Sequence, residues 1–203
     1  MPIHQLFPEP IDSSKLNRIL TKEELNTIDK YKKKTYKNEG NRTSNDNYVL
    51  ENKKLKNLKK DLNKKVLNYF DKIICTDNPI TPYITQSWLN YTENNQFHHR
   101  HSHSNSYISG VFYISADKKI DSIVFYKTPG HETIKLNIIK YNTFNSSSWF
   151  FPVETGDVLL FQSSLEHGVG RTKGTTTRIS LSFNVFLKGT LGDRSKLTQL
   201  MLK

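Results

Sequence analysis

Two kinds of apolar spacing divide the chain near residue 80. In the first part, Leu55, Leu58, Leu62, Val66, Phe70 and Ile73 recur at three- and four-residue steps. They mark one face of a helix, with Lys53, Lys56, Lys60 and Lys64 largely off it. Thr21, followed by Lys22, Glu23 and Glu24, has the form of an N-cap with an acidic first turn, and predicts a helix running to about Tyr31. Residues 6–11 are held extended by Pro8 and Pro10. Residues 37–47, with Gly40 and several asparagines, read as a loop. From Tyr83 onward the spacing shortens to alternation, and β-branched and aromatic residues predict strands over 84–91, 107–114, 123–126, 134–141, 148–153, 158–161 and 175–186. The tail, 189–203, reads as a short helix or a frayed end. Seven closely spaced strands without intervening helices indicate a sandwich or barrel, so the fold class expected is mainly β with flanking α. The chain is expected to form a single domain over 1–203. Its parts are an extended segment and helices over 1–80, a β core over 81–186 and a C-terminal tail over 187–203.

With 203 residues and a single cysteine, Cys75, the sequence has no intrachain disulfide and no four-cysteine zinc site. No stretch approaches the roughly 20 apolar residues of a membrane helix, and residues 1–6 lack the features of a signal peptide. The expectation is a soluble, cytoplasmic protein with no membrane partner. The net charge of +11 admits a nucleic-acid partner without favouring one. The excess is spread along the chain and carried mostly by lysine; only Arg18, Arg42, Arg100, Arg171, Arg178 and Arg194 offer the fork that reads phosphates and bases. A solvated lysine-rich surface accounts for the charge better. The basic stripe on the predicted 55–73 helix admits a membrane or partner surface, but packing of its apolar face is the simpler reading.

The candidate chemistry lies in the second part. His98, His99, His101 and His103 fall within six residues. On a strand, His99, His101 and His103 share a face and His98 takes the other. A His-x-His pair sets two imidazoles side by side for one metal ion. Alone, such a cluster is also compatible with a solvated loop. Further on, Gly156–Phe161 is a tight turn and a buried strand, and a small polar turn leads to His167. Eleven residues later, Arg178, Ser180, Ser182 and Asn184 alternate with Ile179, Leu181, Phe183 and Val185. A strand with one wholly polar face reads as the wall of a polar pocket. Its arginine calls for an anion, and a small carboxylate suits the two-pronged guanidinium. Pairing of Arg178 with a carboxylate of the protein is the plainer alternative.

In this order the motifs resemble those of the Fe(II)/2-oxoglutarate-dependent oxygenases, and within them the small enzymes of marine bacteria and their phages. The matching stretches are Phe7-Pro8-x-Pro10, Ser87–Asn90, Phe97–His103, Ser109–Tyr113, Gly156–Phe161, His167-Gly168-Val169 and Arg178–Asn184. The resemblance implies a double-stranded β-helix, a cupin-like jelly roll, with an N-terminal helical layer. It implies an enzyme that hydroxylates a substrate with oxygen while 2-oxoglutarate yields succinate and carbon dioxide. The cofactors implied are Fe(II) and the co-substrate 2-oxoglutarate, with O2 and an unidentified primary substrate as the other partners. Carried over residue by residue, His101, His103 and His167 are the metal ligands and Arg178 with Ser180 clamps 2-oxoglutarate; Tyr113 and Asn90 add hydrogen bonds to it. His103 stands where the family normally has Asp or Glu, and His98 or His99 remains open as a replacement for one ligand. Glu166 is expected to point away, on the opposite strand face from His167. Residues 127–133 and 142–149 are expected to border the pocket mouth. Two other readings use the same residues: a three-histidine cupin-type metalloenzyme without 2-oxoglutarate, and a non-catalytic jelly-roll binding module.

Overall fold

The computed structural model describes residues 1–127, 134 and 136–203. Its elements in chain order are β1 (Ile11–Lys15), α1 (Lys22–Lys32), β2 (Thr35–Lys37), β3 (Arg42–Ser44), α2 (Lys56–Ile73), β4 (Ile80–Thr92), β5 (His98–His101), β6 (Ile108–Ser115), β7 (Ser122–Tyr126), β8 (Ser148–Pro152), β9 (Asp157–Gln162), β10 (His167–Val169), β11 (Arg178–Leu191) and β12 (Leu200–Leu202). Two short 3-10 turns, Val49–Glu51 and Lys53–Leu55, lead into α2.

The start of α1 is fixed as its sequence predicts. Thr21 Oγ1 accepts the Glu24 amide, and the Glu24 carboxylate accepts the Thr21 amide at 2.8 Å, a reciprocal cap. Arg18 adds a fork onto the same carboxylate and reaches Asp61 of α2 at 2.6 Å, tying the two helices together. The α2 stripe is buried at Leu58, Leu62, Val66 and Phe70, with Tyr69 beside it. Ile73, expected in that stripe, is exposed at the last residue of α2. Leu62 has no exposed surface. Leu62→Ala is expected to cost about 2–5 kcal/mol, read as a lowered urea midpoint, since both the transfer of its side chain and the cavity left behind count against the fold.

The strands form two antiparallel sheets. The large one runs β1-β9-β6-β11-β4-β3-β2, with β12 on the far end of β11; the small one runs β5-β10-β7-β8. On the large sheet, Leu89, Leu181, Phe183 and Phe112 point outward into the core under the helices. The opposite face meets the small sheet across a second apolar cluster of Val111, Tyr113, Ile123, Phe125, Leu159 and Phe161. This is the double-stranded β-helix with a helical layer. The chemistry-bearing residues lie between the two sheets.

Several elements depart from the expectation drawn from local pattern. Residues 37–47 are not simply a loop: β2 and β3 form a hairpin whose turn closes through Asn38 N–H to Asn41 O at 2.9 Å. Gly40 holds a φ of +87° there, which a side chain rarely adopts. Residues 6–11 are not extended throughout, since Phe7 before Pro8 sits at a φ of +56°, but the segment runs on into β1, paired along β9. Residues 134 and 136–141 form no strand; β7 pairs instead with β8. The tail is neither helix nor simply frayed. Strand β11 extends beyond 186, and β12 pairs with Gly189–Leu191 there.

Candidate active site

Three imidazoles converge where the small sheet faces the large one. His101 ends β5 and pairs in register with His167 of β10. His103 lies two residues past the strand and is anchored by its backbone N–H to Ser163 O at 3.0 Å. One ligand atom from each of the three lies within 4.8 Å of the others. His167 Nδ1 donates to Leu165 O at 3.0 Å, and His101 Nδ1 to His99 O at 2.8 Å. With Nδ1 carrying the proton, each ring turns its Nε2 lone pair towards the cluster, the tautomer a metal needs. Phe161 packs edge-on against His167 at 4.7 Å, and Trp88 lies 5.6 Å from the His103 ring.

Burial, with the neighbouring imidazoles adding to it, holds His167 down to about 3; burial and His101 hold His103 down to about 4. His101 is lowered by burial as well. All three are neutral at pH 7, as metal ligation requires. The lowering also makes stability depend on pH. Between pH 6.5 and about 3 the unfolded chain takes up a proton that folded His167 refuses, so stability is full above 6.5 and is lost as pH falls through that window. Metal-free protein is expected to show a lower urea midpoint at pH 5.5 than at pH 7. His167 alone contributes at most about 1.4 kcal/mol per pH unit.

The opposite wall is the polar face of β11. Arg178, Ser180 and Ser182 line the same cavity as the three histidines, with Tyr113 from β6 and Asn90 and Trp88 from β4. Arg178 is 4% exposed and its Nε has no hydrogen-bond partner; the nearest carboxylate, Asp121, is 4.0 Å away. Tyr113 is fully buried beneath the guanidinium, whose Cζ sits 5.1 Å from its ring, and its hydroxyl is also unpartnered. Two orphaned buried donors facing a cavity are costly unless an acceptor fills it. A carboxylate group fits that demand. The cavity is tight, about 30 Å³.

The fold therefore brings together every residue singled out from the sequence: His101, His103, His167, Arg178, Ser180, Tyr113 and Asn90. Asn90 arrives partly engaged, since its oxygen accepts from Thr43 at 3.1 Å and its amide donates to Ser182 at 3.1 Å, leaving one N–H free. One expectation is corrected. His98 does not take the opposite face; it lines the cavity, stacked on His101 at 4.7 Å. The cause is a bulge: His101 is opposite His167 but His98 is opposite Val169, so β5 carries one extra residue and alternation breaks. Gly168 makes room for it, since a Cβ there would meet the His98 and His99 carbonyl oxygens at 3.1 and 3.2 Å. His98, His99 and His101 accordingly form a second grouping within 4.8 Å.

Glu166 turns away as expected and pairs with Arg100 outside the cavity. Residues 128–133 lie outside the described residues, and 142–149 line none of the described cavities. Sequence reasoning missed Trp88 as a wall residue and Asp121 as the carboxylate nearest Arg178. Alternation along β4 with Asn90 carries a signal for Trp88. Nothing in the charged turn 117–121 carries one for Asp121.

Residues 86–184 match the model of the family described as "Putative 2OG-Fe(II) oxygenase". No curated protein matches the sequence significantly. Among solved structures, the chain resembles HygX from Streptomyces hygroscopicus, determined with nickel, 2-oxoglutarate and hygromycin B bound (TM-score 0.58, 12% identity, 87% of this chain and 82% of that one). A 2OG-Fe(II) oxygenase family oxidoreductase from Burkholderia pseudomallei aligns with TM-score 0.53 and 15% identity over 81% and 78% of the two chains. A Pseudomonas putida prolyl-4-hydroxylase aligns with TM-score 0.52 and 9% identity over 87% and 92%. At these identities the structural likeness speaks for the fold alone.

Proposed function

We propose, from the premise that this chain is an oxidoreductase of the 2OG-Fe(II) oxygenase kind using Fe(II) and 2-oxoglutarate, that it hydroxylates an organic substrate through the site formed by His101, His103, His167 and Arg178. The observation that carries this reading is the pair of orphaned buried donors, Arg178 Nε and the Tyr113 hydroxyl, on the wall of the cavity the three histidines share. Bound iron and 2-oxoglutarate supply the oxidising chemistry, coupled to loss of carbon dioxide and formation of succinate. The residues do the rest. His101 and His167 hold the metal through Nε2, their rings fixed by the His99 and Leu165 carbonyls, and His103 supplies the third imidazole. Arg178 neutralises and orients the co-substrate's distal carboxylate, with Tyr113 and Ser180 donating beside it and the remaining Asn90 N–H in reserve. The apolar cluster around Phe125 and Phe161 keeps water from the metal side.

His103 in place of a carboxylate makes the ligand set wholly neutral, and this favours a second reading, a three-histidine metal site that does not use 2-oxoglutarate. An anaerobic titration separates the two. Apoprotein is loaded with Fe(II) and then with 2-oxoglutarate, while the weak visible band of the chelate is followed. A saturable band supports the oxygenase. Metal bound without a band supports the three-histidine site, and neither signal leaves a jelly-roll binding module.

Kinship with the small marine bacterial and phage enzymes rests on the His-x-His motif and the Phe7-Pro8-x-Pro10 opening. The proposal of a single domain over 1–203 is supported by the core that α1, α2 and the large sheet share. No helix among the described residues is long and apolar enough to cross a membrane. A cytoplasmic setting is proposed on the lone exposed Cys75.

A further inference from the structure

The metal cavity is narrow, about 30 Å³. The primary substrate must reach it from outside, and one groove adjoins it along the same strands. The polar face of β11 runs on from Ser182 to Asn184, β4 runs on from Trp88 to Gln86, and the segment after His103 supplies Ser104 and Asn105. Together they enter an open groove of about 940 Å³. From this groove we infer the substrate class: a small neutral glycoside, bound with its reacting end at Trp88. The inference rests on the oxygenase reading above.

The groove is shaped by an irregularity in β4. Phe183 of β11 pairs with Ser87 but Val185 pairs with Ile84, so β4 has one residue too many between them. Ser87 and Ile84 both turn to the helix side: Ser87 Oγ accepts the Leu50 amide at 2.9 Å, and Ile84 belongs to the core under the helices. The two residues between them, Thr85 and Gln86, are both left on the groove lining. Bulges re-aim side chains next to active sites in this way. Thr85 donates to the Asn184 carbonyl at 3.1 Å, which closes the gap in the ladder. Gln86 is exposed with nothing to bind.

The lining chemistry selects the ligand. Tyr83 and Phe186 stand opposite each other in register, and Tyr48 faces in from the segment before α2; these rings offer flat amphipathic surfaces. Between them stand the amides of Gln86, Asn63, Asn105 and Asn184, each able to donate and to accept. Asn184 is 8% exposed and its Oδ1 has no partner, so a buried acceptor waits for a donor from the groove. The charged lining residues, Lys59 and Glu51, pair with each other at 2.5 Å and leave no net charge for a phosphate or a carboxylate. Aromatic faces with neutral amides match a sugar ring, which presents an apolar face and a rim of hydroxyls that both donate and accept. Among the described residues, a nucleic acid strand would meet a single unpaired cation here, Lys188 at 5.9 Å from the Tyr83 ring, and an apolar peptide no enclosed apolar pocket.

The test uses the Fe(II)- and 2-oxoglutarate-loaded protein under anaerobic conditions. Binding of maltotriose, cellotriose and chitotriose is measured by calorimetry and saturation-transfer NMR, against a neutral hexapeptide and a trinucleotide. At least one trisaccharide is expected to bind with Kd on the order of 1 mM or tighter. Tyr83→Ala and Gln86→Ala, both at exposed positions, are each expected to weaken it by about tenfold, the worth of one aromatic or hydrogen-bonded contact. No binding by any of the three sugars overturns the inference. So does binding unchanged in both variants, or capture of the peptide or trinucleotide in preference to the sugars. The chelate band is read on the same wild-type sample. A band without sugar binding removes the glycoside assignment alone; sugar binding without a band leaves the groove standing and removes the 2-oxoglutarate site.

Discussion

Arg178→Ala raises the 2-oxoglutarate concentration needed for half-saturation by roughly 30- to 4,000-fold, while Fe(II) still binds. The range is the cost of truncating one partner of a buried charged pair, about 2–5 kcal/mol. The argument rests on the state of the side chain before the co-substrate arrives. Arg178 is almost wholly buried, its Nε has no partner, and Asp121 at 4.0 Å is beyond hydrogen-bonding distance. The buried Asp121 carboxylate therefore offsets only part of the cost of desolvating the guanidinium, with no hydrogen bond between them. A ligand carboxylate recovers that cost on binding. Arg178→Lys is expected to recover only part of the affinity, since a point charge lacks the planar fork. The measurement is the chelate band as a function of 2-oxoglutarate, with metal content determined in parallel. An unchanged half-saturation point in Arg178→Ala would remove this residue from the co-substrate site.

Metal affinity in His167→Ala is expected to fall by more than about 100-fold, because loss of an outer partner alone typically costs 10- to 100-fold and here a ligand itself is gone. His167 is the deepest of the three rings, held by Leu165 O on one side and by Phe161 on its flank. It comes from β10, whereas both other ligands come from the β5 segment, so its removal leaves two imidazoles from a single stretch of chain. The competing group, His98 with His99 and His101, makes the experiment decisive. If that group holds the metal, His167→Ala retains it and His99→Ala loses it; if the deeper group does, the pattern reverses. Metal content after dialysis, measured by elemental analysis, distinguishes the two outcomes.

How much of this was legible in the sequence follows from what each signal depends on. The stripe of α2, the Thr21 cap and the alternation of Arg178, Ser180, Ser182 and Asn184 are properties of near neighbours in the chain, so their spacing carries them intact into the fold. The short alternating strands indicated a sandwich or barrel, and the resemblance of the ordered motifs supplied the jelly-roll class and the candidate site residues, which fall at strand ends and on strand faces that local periodicity marks. What local periodicity does not encode is pairing. Residues 136–141 carry a strand-like pattern, yet it is β8 that pairs with β7. Whether the tail pairs depends on how far β11 reaches, and it reaches 191.

The bulges mark the same boundary most sharply. Strict alternation places His98 away from His101 and separates Thr85 from Gln86, yet one extra residue in β5 and one in β4 reverse both outcomes. A bulge is a mismatch between two strands, so it exists only once the register with β10 or β11 is set. The sequence by itself determined which faces are polar and which side chains are candidates for the chemistry. Tertiary structure alone decided that His98 enters the cavity, that Asp121 approaches Arg178 without reaching it, and that Gln86 and Asn184 meet in one groove, because each depends on contacts between segments far apart in the chain.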